Sequence, residues 1–315
     1  MMHQIYVANT DNQWFDFLKS NQPLEDVNFW KPNQQLFKAI GEGGLFVFRL
    51  KSPRNVIGGY GVLVSSINVP IQFAWDSLGI ANGHPDLGDM MRAIRRYRTD
   101  QQITPQTLIG CRVLANPVFF EPDEWFEIPS DWSSNIVTGK VYDSHYGEGA
   151  RLLQQLEQRT HPSVLFSRAK KSFEGFEEVE QARYGEPVSI LPRLGQGAFR
   201  IRIAGQYRFE CAISETRVLP ALEAAHIRPY SLGGTHEASN GLLLRKDIHS
   251  VLDAGFATIT DEYKFHVSDK IRQVFNNGNE YRRLHGASIK LPQDSAYWPS
   301  LENLRWHQSQ CYVGD

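Results

Sequence analysis

The chain has little cysteine. Three residues, Cys111, Cys211 and Cys311, lie far apart among 315, which provides neither a disulfide framework nor a CxxC zinc clamp, so free thiols and no structural zinc are expected. It also lacks the roughly 20 uninterrupted apolar residues that a membrane span requires. Its start, MMHQIYVANTDNQWF, lacks the basic, then apolar, then small-residue order of a signal peptide. No membrane partner and a cytoplasmic location are therefore expected. Neither sign of charge dominates: the formal net charge is -2, which excludes a chain that coats nucleic acid by sheer basicity but allows a local basic face. Internal repeats and low-complexity runs are absent.

What is present is ordinary globular usage, 41% hydrophobic and 22% charged, over more residues than one core of typical size needs. Two domains follow. Up to about residue 137 the chain reads as short strands separated by turns. GGLFVFRLK at 43–51 and NVIGGYGVLVSSI at 55–67 flank the turn signal SPRN and read as paired antiparallel strands. TLIGCRVLANPVFF at 107–120 and SNIVTGKVYD at 134–143 extend the sheet or barrel. Helical spacing appears at 12–21 and again at 85–100, where Met90, Ile94 and Tyr97 form one stripe. The charged stretch 147–187 is low in β-branched residues and reads as a helical connector, with 161–190 as the linker proper.

Beyond about residue 191 the pattern changes. Phe199, Ile203 and Tyr207 fall at helical spacing; LEAAHIRPY at 222–230 suits a strand, SLGGTHEAS at 231–239 a loop, and NGLLLR at 240–245 a second strand. Asp247 is placed to cap a helix that carries His249 and Asp253 at i and i+4, and Gly255 is placed to end it. The order is strand, loop, strand, helix. Hydrolysis of a phosphodiester needs a base for water and a cation for phosphate charge. His226 is a candidate base because imidazole titrates near neutrality. Asn240, opposite it across the hairpin, is placed to fix its tautomer. His249 and Asp253 can point a nitrogen and an oxygen at one divalent ion.

The run CAISETRVLPALEAAHIRPYSLGGTHEASNGLLLRKDIHSVLDAGF at 211–256 resembles the ββα-metal motif of HNH endonucleases, of the kind found in bacterial restriction enzymes. The resemblance implies that His226 is the general base, that Asn240 orients it, and that His249 binds the metal with Asp253 as a further ligand. LGQGAFRIRIAGQY before the motif, the segment 281–286 and the pair Trp306 and His307 extend the similarity over roughly the C-terminal half. Two features depart from the pattern. Ala225 stands where many members carry a ligating Asp or His. Water, His236 or Glu223 are the candidate replacements; Glu223 lies three residues before His226 and so on the other strand face, and water with Asp253 is favoured. Paired CxxC motifs are also missing, so packing must hold this core.

In the N-terminal half YVANTDNQWFDFL, VNFWKP and VIGGYG resemble PUA-like or EVE-like domains fused to nucleases that cut modified DNA. That resemblance implies a pocket for a flipped base, for which Asn9, Asp11, Trp14, Trp30 and Trp75 are the candidates.

Simpler readings stand beside these. His226 alone would be a buried histidine bonded to a carbonyl; Asn240 before Gly241 would be a turn dipeptide. His236 reads as a loop residue, and His249 with Asp253 as an exposed helical pair worth a few tenths of a kcal/mol. Packing is the usual role of tryptophans. The run MRAIRRYR at 91–98 is equally a solvated face and a phosphate path. Arg200, Arg217, Arg228 and Arg245 are candidate DNA contacts, with neutralisation of nearby acids as the alternative.

The expectation is an α+β protein: residues 1–160 a β-rich PUA-like barrel with helices that recognises DNA, 161–190 a connector, and 191–315 a ββα-metal HNH nuclease domain. Its cofactor would be one divalent ion, Mg²⁺ or Mn²⁺ or another of that charge. Its partner would be double-stranded, modified DNA, with a homodimer left open. The alternative function is a nucleic-acid reader that keeps the HNH fold as a scaffold without cleavage.

Overall fold

The computed structural model describes residues 4–98, 102–159 and 195–314, and the chain divides into two compact units, Met1–Arg193 and Leu194–Asp315. The expected connector at 161–190 lies outside the described residues. Both units mix helices and strands, so the chain is α+β.

In the first unit β1 (Gln4–Thr10) runs parallel to β3 (Leu45–Leu50) and antiparallel to β7 (Gly139–Asp143). The long β4 (Val56–Pro70) joins β3 to β5 (Leu108–Phe119), β2 (Asp26–Asn28) borders β5, and β6 (Phe126–Glu127) pairs with β4. The strand order β2-β5-β4-β3-β1-β7 leaves β2 and β7 as edges, so strand pairing among the described residues does not close the expected barrel.

Alternation along the strands sorts the apolar residues onto two faces. Tyr6, Ala8, Phe46, Phe48, Leu63 and Leu114 share one core with Trp14, Phe15 and Leu18 of α1 (Asn12–Ser20). Ile5, Val7, Val47, Ile57 and Tyr60 face the other way and meet Leu152 and Leu156 of α4 (Gly147–Arg159). The stretch 147–159, at the head of the charged helical segment, therefore packs on this unit. Asp11 caps α1, its carboxylate accepting from Gln13 N at 2.9 Å and Trp14 N at 3.2 Å. After α2 (Ile71–Leu78), α3 (Leu87–Arg95) buries Met90 and Ile94; Tyr97 lies beyond the helix end and is exposed, so the stripe is one residue shorter than its spacing predicts.

In the second unit α5 (Gln196–Gln206) buries Phe199, Ile201 and Ile203. The hairpin of β8 (Leu222–His226) and β9 (Gly241–Arg245) pairs Ala225 with Leu242 and His226 with Gly241. A Cβ on Gly241 would stand 2.3 Å from Ile203 Cδ1 and 2.8 Å from the Phe199 ring, so glycine here lets α5 lie directly on the strand. Helix α6 (Lys246–Asp253) follows at once. Its first turn differs from expectation: Asp247 makes no cap and instead pairs with Arg245 through two contacts of 2.6 Å. Gly255, at φ 76°, ends the helix as expected. A second hairpin, β10 (Ala257–Ile259) and β11 (Phe265–Val267), precedes the short α7 (Lys270–Phe275) and α8 (Asn279–Arg282). The last helix, α9 (Leu301–Gln310), is tied back by buried His307, which bonds Thr258 Oγ1 at 2.9 Å and Leu252 O at 3.2 Å. Cys211, buried, accepts from Ser214 N and Arg245 N through its sulfur. Among the described residues no helix is long and apolar enough to cross a membrane.

Candidate active site

His226 ends β8, and its neighbours are set by the elements on either side. Phe199 of α5 covers one ring face, with centroids 4.0 Å apart and planes 7° from parallel. His226 Nε2 lies 2.9 Å from His236 Nδ1. Burial first, then the neighbouring His236 and His249, pushes the His226 imidazole down to about 4, against the opposing pull of Asp253. His226 is therefore neutral at physiological pH and holds a lone pair that can accept a proton.

Asn240 does not reach the ring that the resemblance assigns it to orient. Fully buried, it accepts from Arg228 N at 2.9 Å and donates to Arg228 O at 2.9 Å and Thr235 O at 2.8 Å. Its side chain braces the loop between the strands and makes no hydrogen bond to the His226 ring. The side chain hydrogen-bonded to that ring is His236, which the sequence presents as a loop residue or a replacement ligand; no local pattern pairs it with His226, because its partner lies across the loop.

On α6, His249 stands between two carboxylates. Its Nε2 lies 3.2 Å from Asp253 Oδ2, and its Nδ1 lies 3.1 Å from Glu223 Oε2. Burial works against an imidazolium here, but the hydrogen bonds and charges of Asp253 and Glu223 together outweigh it and raise the His249 pKa. Glu223 does face away from His226 along β8, as alternation requires, yet that turns it toward α6.

The donor set fits a divalent ion. Two ligands about 2.1 Å from one ion at a cis angle stand about 3 Å apart, close to the 3.2 Å between His249 Nε2 and Asp253 Oδ2. Among the described residues no three His, Cys, Asp or Glu side chains come together as a ready cage, so water or a phosphate oxygen would complete the shell, as an open catalytic site needs. Ala225 is buried and contributes nothing.

The four arginines proposed as DNA contacts do not gather as unpaired cations. Arg217 is paired with buried Glu210, which Lys290 also contacts. Arg245 is held by Asp247, Arg228 donates to Leu232 O at 2.8 Å, and Arg200 is half-buried on α5.

A second feature belongs to the first unit, a cavity of about 560 Å³ whose lining includes Asn9, Asp11, Trp14 and Trp30 but not Trp75. Of these, Asn9 is committed to Ile136 O, Val137 O and Arg49, and Asp11 to the α1 cap. Trp14 is a core residue, only 6% exposed, its Nε1 donating to Asn28 O. Trp30, half-buried, faces His84 at 5.7 Å between ring centroids. His84 and Lys31 also line this wall, with no local sequence signal that marks them, and the run at 91–98 contributes Arg92, Arg96 and Tyr97 to it. His84 Nε2 is buried with no hydrogen-bond partner, and burial lowers its pKa. Lys31 is pushed down to about 8 by burial and then by Arg112 and Lys51.

Comparison with known proteins places residues 211–260 on the family model described as HNH endonuclease. No curated protein matches the chain. Among solved structures, ASCH from Zymomonas mobilis is similar at 9% identity and a TM-score of 0.34, over 48% of this chain and 94% of that one. The modification-dependent restriction endonuclease TagI is similar at 14% identity and a TM-score of 0.26, over 92% of this chain and 76% of that one.

Proposed function

From the HNH endonuclease segment at 211–260, we propose that the chain is a metal-dependent DNA endonuclease that hydrolyses phosphodiester bonds in double-stranded, modified DNA. The observation that carries this reading is a carboxylate-flanked histidine on α6 whose charge is felt by the half-buried histidine at the end of β8. His226 accepts the proton of the attacking water. His249 and Asp253 hold the cation, and Glu223 accepts from His249 Nδ1–H, which fixes the ring's orientation as carboxylates behind metal-bound histidines do. When bound, the ion supplies positive charge at the phosphate. Asn240 keeps the loop in place around them. The first unit serves as the reader, its cavity admitting one flipped base against Trp30 with cationic groups at its rim. Restriction of foreign DNA is the role this combination suits.

Digestion of matched unmodified, methylated, hydroxymethylated and glucosylated plasmid with Mg²⁺ and with Mn²⁺ tests the reading. Metal-dependent cutting that favours a modified substrate supports it. Binding without nicking under every condition would instead support the scaffold alternative, to which the missing ligand at Ala225 lends its one observation.

A further inference from the structure

The His226 ring has one nitrogen left for chemistry. Nε2 is taken by His236 Nδ1 at 2.9 Å, and Phe199 covers a face that offers no lone pair. Nδ1 has no protein partner among the described residues and is not sealed from solvent. A neutral imidazole carries its proton on one nitrogen and its lone pair on the other. For Nδ1 to accept a proton from water, the ring's own proton must sit on Nε2. The atom placed to receive that Nε2–H is His236 Nδ1. The reverse hydrogen bond, His236 Nδ1–H into His226 Nε2, would put the proton on His226 Nδ1 and leave no base.

We infer that His236 is a positioning residue that selects the tautomer of His226, accepting Nε2–H through a neutral ring whose own proton is on Nε2. The catalytic consequence rests on the nuclease reading above, whereas the tautomer is a property of the ring pair itself. When His226 Nδ1 takes the proton of water, the new positive charge makes Nε2–H a stronger donor, and His236 stabilises the imidazolium without itself gaining a proton. This is the task that a carboxylate performs for the histidine of a hydrolytic triad.

The surroundings hold His236 to this geometry. Tyr230 stacks on it at 4.9 Å and 16°, and Phe199 meets it edge-on at 5.6 Å and 61°, so one phenyl ring orients both imidazoles. Asn240 donates to Thr235 O at 2.8 Å, the carbonyl directly before His236. The asparagine therefore acts one step behind the place expected for it: it fixes the loop from which His236 reaches the base.

The test is two-bond ¹H–¹⁵N correlation of the full chain labelled at histidine nitrogens, at pH 7, with the His226 signals assigned by their loss in His226→Gln. The expected wild-type pattern is protonated Nε2 and bare Nδ1 on His226. His236→Ala should give a mixture of tautomers, and His236→Asn, with an amide oxygen near the lost Nδ1, should restore the single form. In cleavage, His236→Ala should lower kcat on the order of 10- to 100-fold, as loss of an orienting partner does, with KM and Mn²⁺ affinity unchanged and with rescue by His236→Asn. A His226 proton on Nδ1 in the wild type overturns the inference. So does loss of Mn²⁺ affinity in His236→Ala, which would make His236 a ligand. Wild-type protein that shows the Nε2–H form yet cuts no DNA refutes the nuclease reading and leaves the tautomer assignment standing.

Discussion

Glu223 on the first strand of the hairpin and His249 on the helix behind it meet with Oε2 and Nδ1 3.1 Å apart. One imidazole thus has a carboxylate on each nitrogen, and only one of the two can share a metal with it.

Metal affinity should rank the three residues. His249→Ala removes the nitrogen ligand and should abolish Mn²⁺ binding in calorimetry. Asp253→Asn should weaken it less, because an amide oxygen still coordinates. Glu223→Gln, acting from behind His249, should cost about 10- to 100-fold in affinity. A greater loss in Glu223→Gln than in Asp253→Asn would move the ion to the Nδ1 side.

Acid stability should reflect His226. Its folded pKa is depressed to about 4, against about 6.5 in an unfolded chain. Between those values the unfolded chain takes up a proton that the folded site refuses, so this contribution to stability is intact above 6.5 and is lost as pH falls toward 4. In metal-free buffer His226→Leu should lose less Tm than the wild type between pH 7 and 4.5. Parallel Tm profiles would show that the ring is not held neutral.

The tryptophans should separate by role. Trp14→Ala removes a ring packed on Phe29 and Phe48 and should cost about 3–5 kcal/mol of stability in thermal or denaturant unfolding. Trp30→Ala should leave the fold intact and weaken binding of modified duplex by roughly 1–3 kcal/mol at fixed salt, the cost of a lost stacking surface. Trp75→Ala, outside the cavity, should do neither to that extent. Unchanged duplex affinity in Trp30→Ala would remove the cavity from recognition.

Much of the second unit was legible because its chemistry lies on regular elements. Strand, loop, strand and helix follow from apolar runs and turn residues, and the i, i+4 spacing puts His249 and Asp253 together without tertiary information. Contacts between elements were not legible. His236 meets His226 only because the loop folds back, and Asn240 gives its amide to that loop instead of to the ring. Glu223 was set aside by strand alternation, which correctly excludes it from the His226 face but says nothing of which helix covers the other. In the first unit the apolar runs around Phe46, Val47 and Phe48 and the turn after them showed strands, while closure into a barrel depends on edges that composition does not specify. Trp14 and Trp30 read alike in sequence, and only burial tells core from wall.

Single-turnover cleavage of modified plasmid by wild type and His226→Ala in saturating Mn²⁺ asks whether His226 is the base of a metal-dependent nuclease. A base at this position requires a rate loss on the order of 100- to 10,000-fold, with Mn²⁺ affinity and DNA binding retained. Cleavage by His226→Ala at close to the wild-type rate would contradict it.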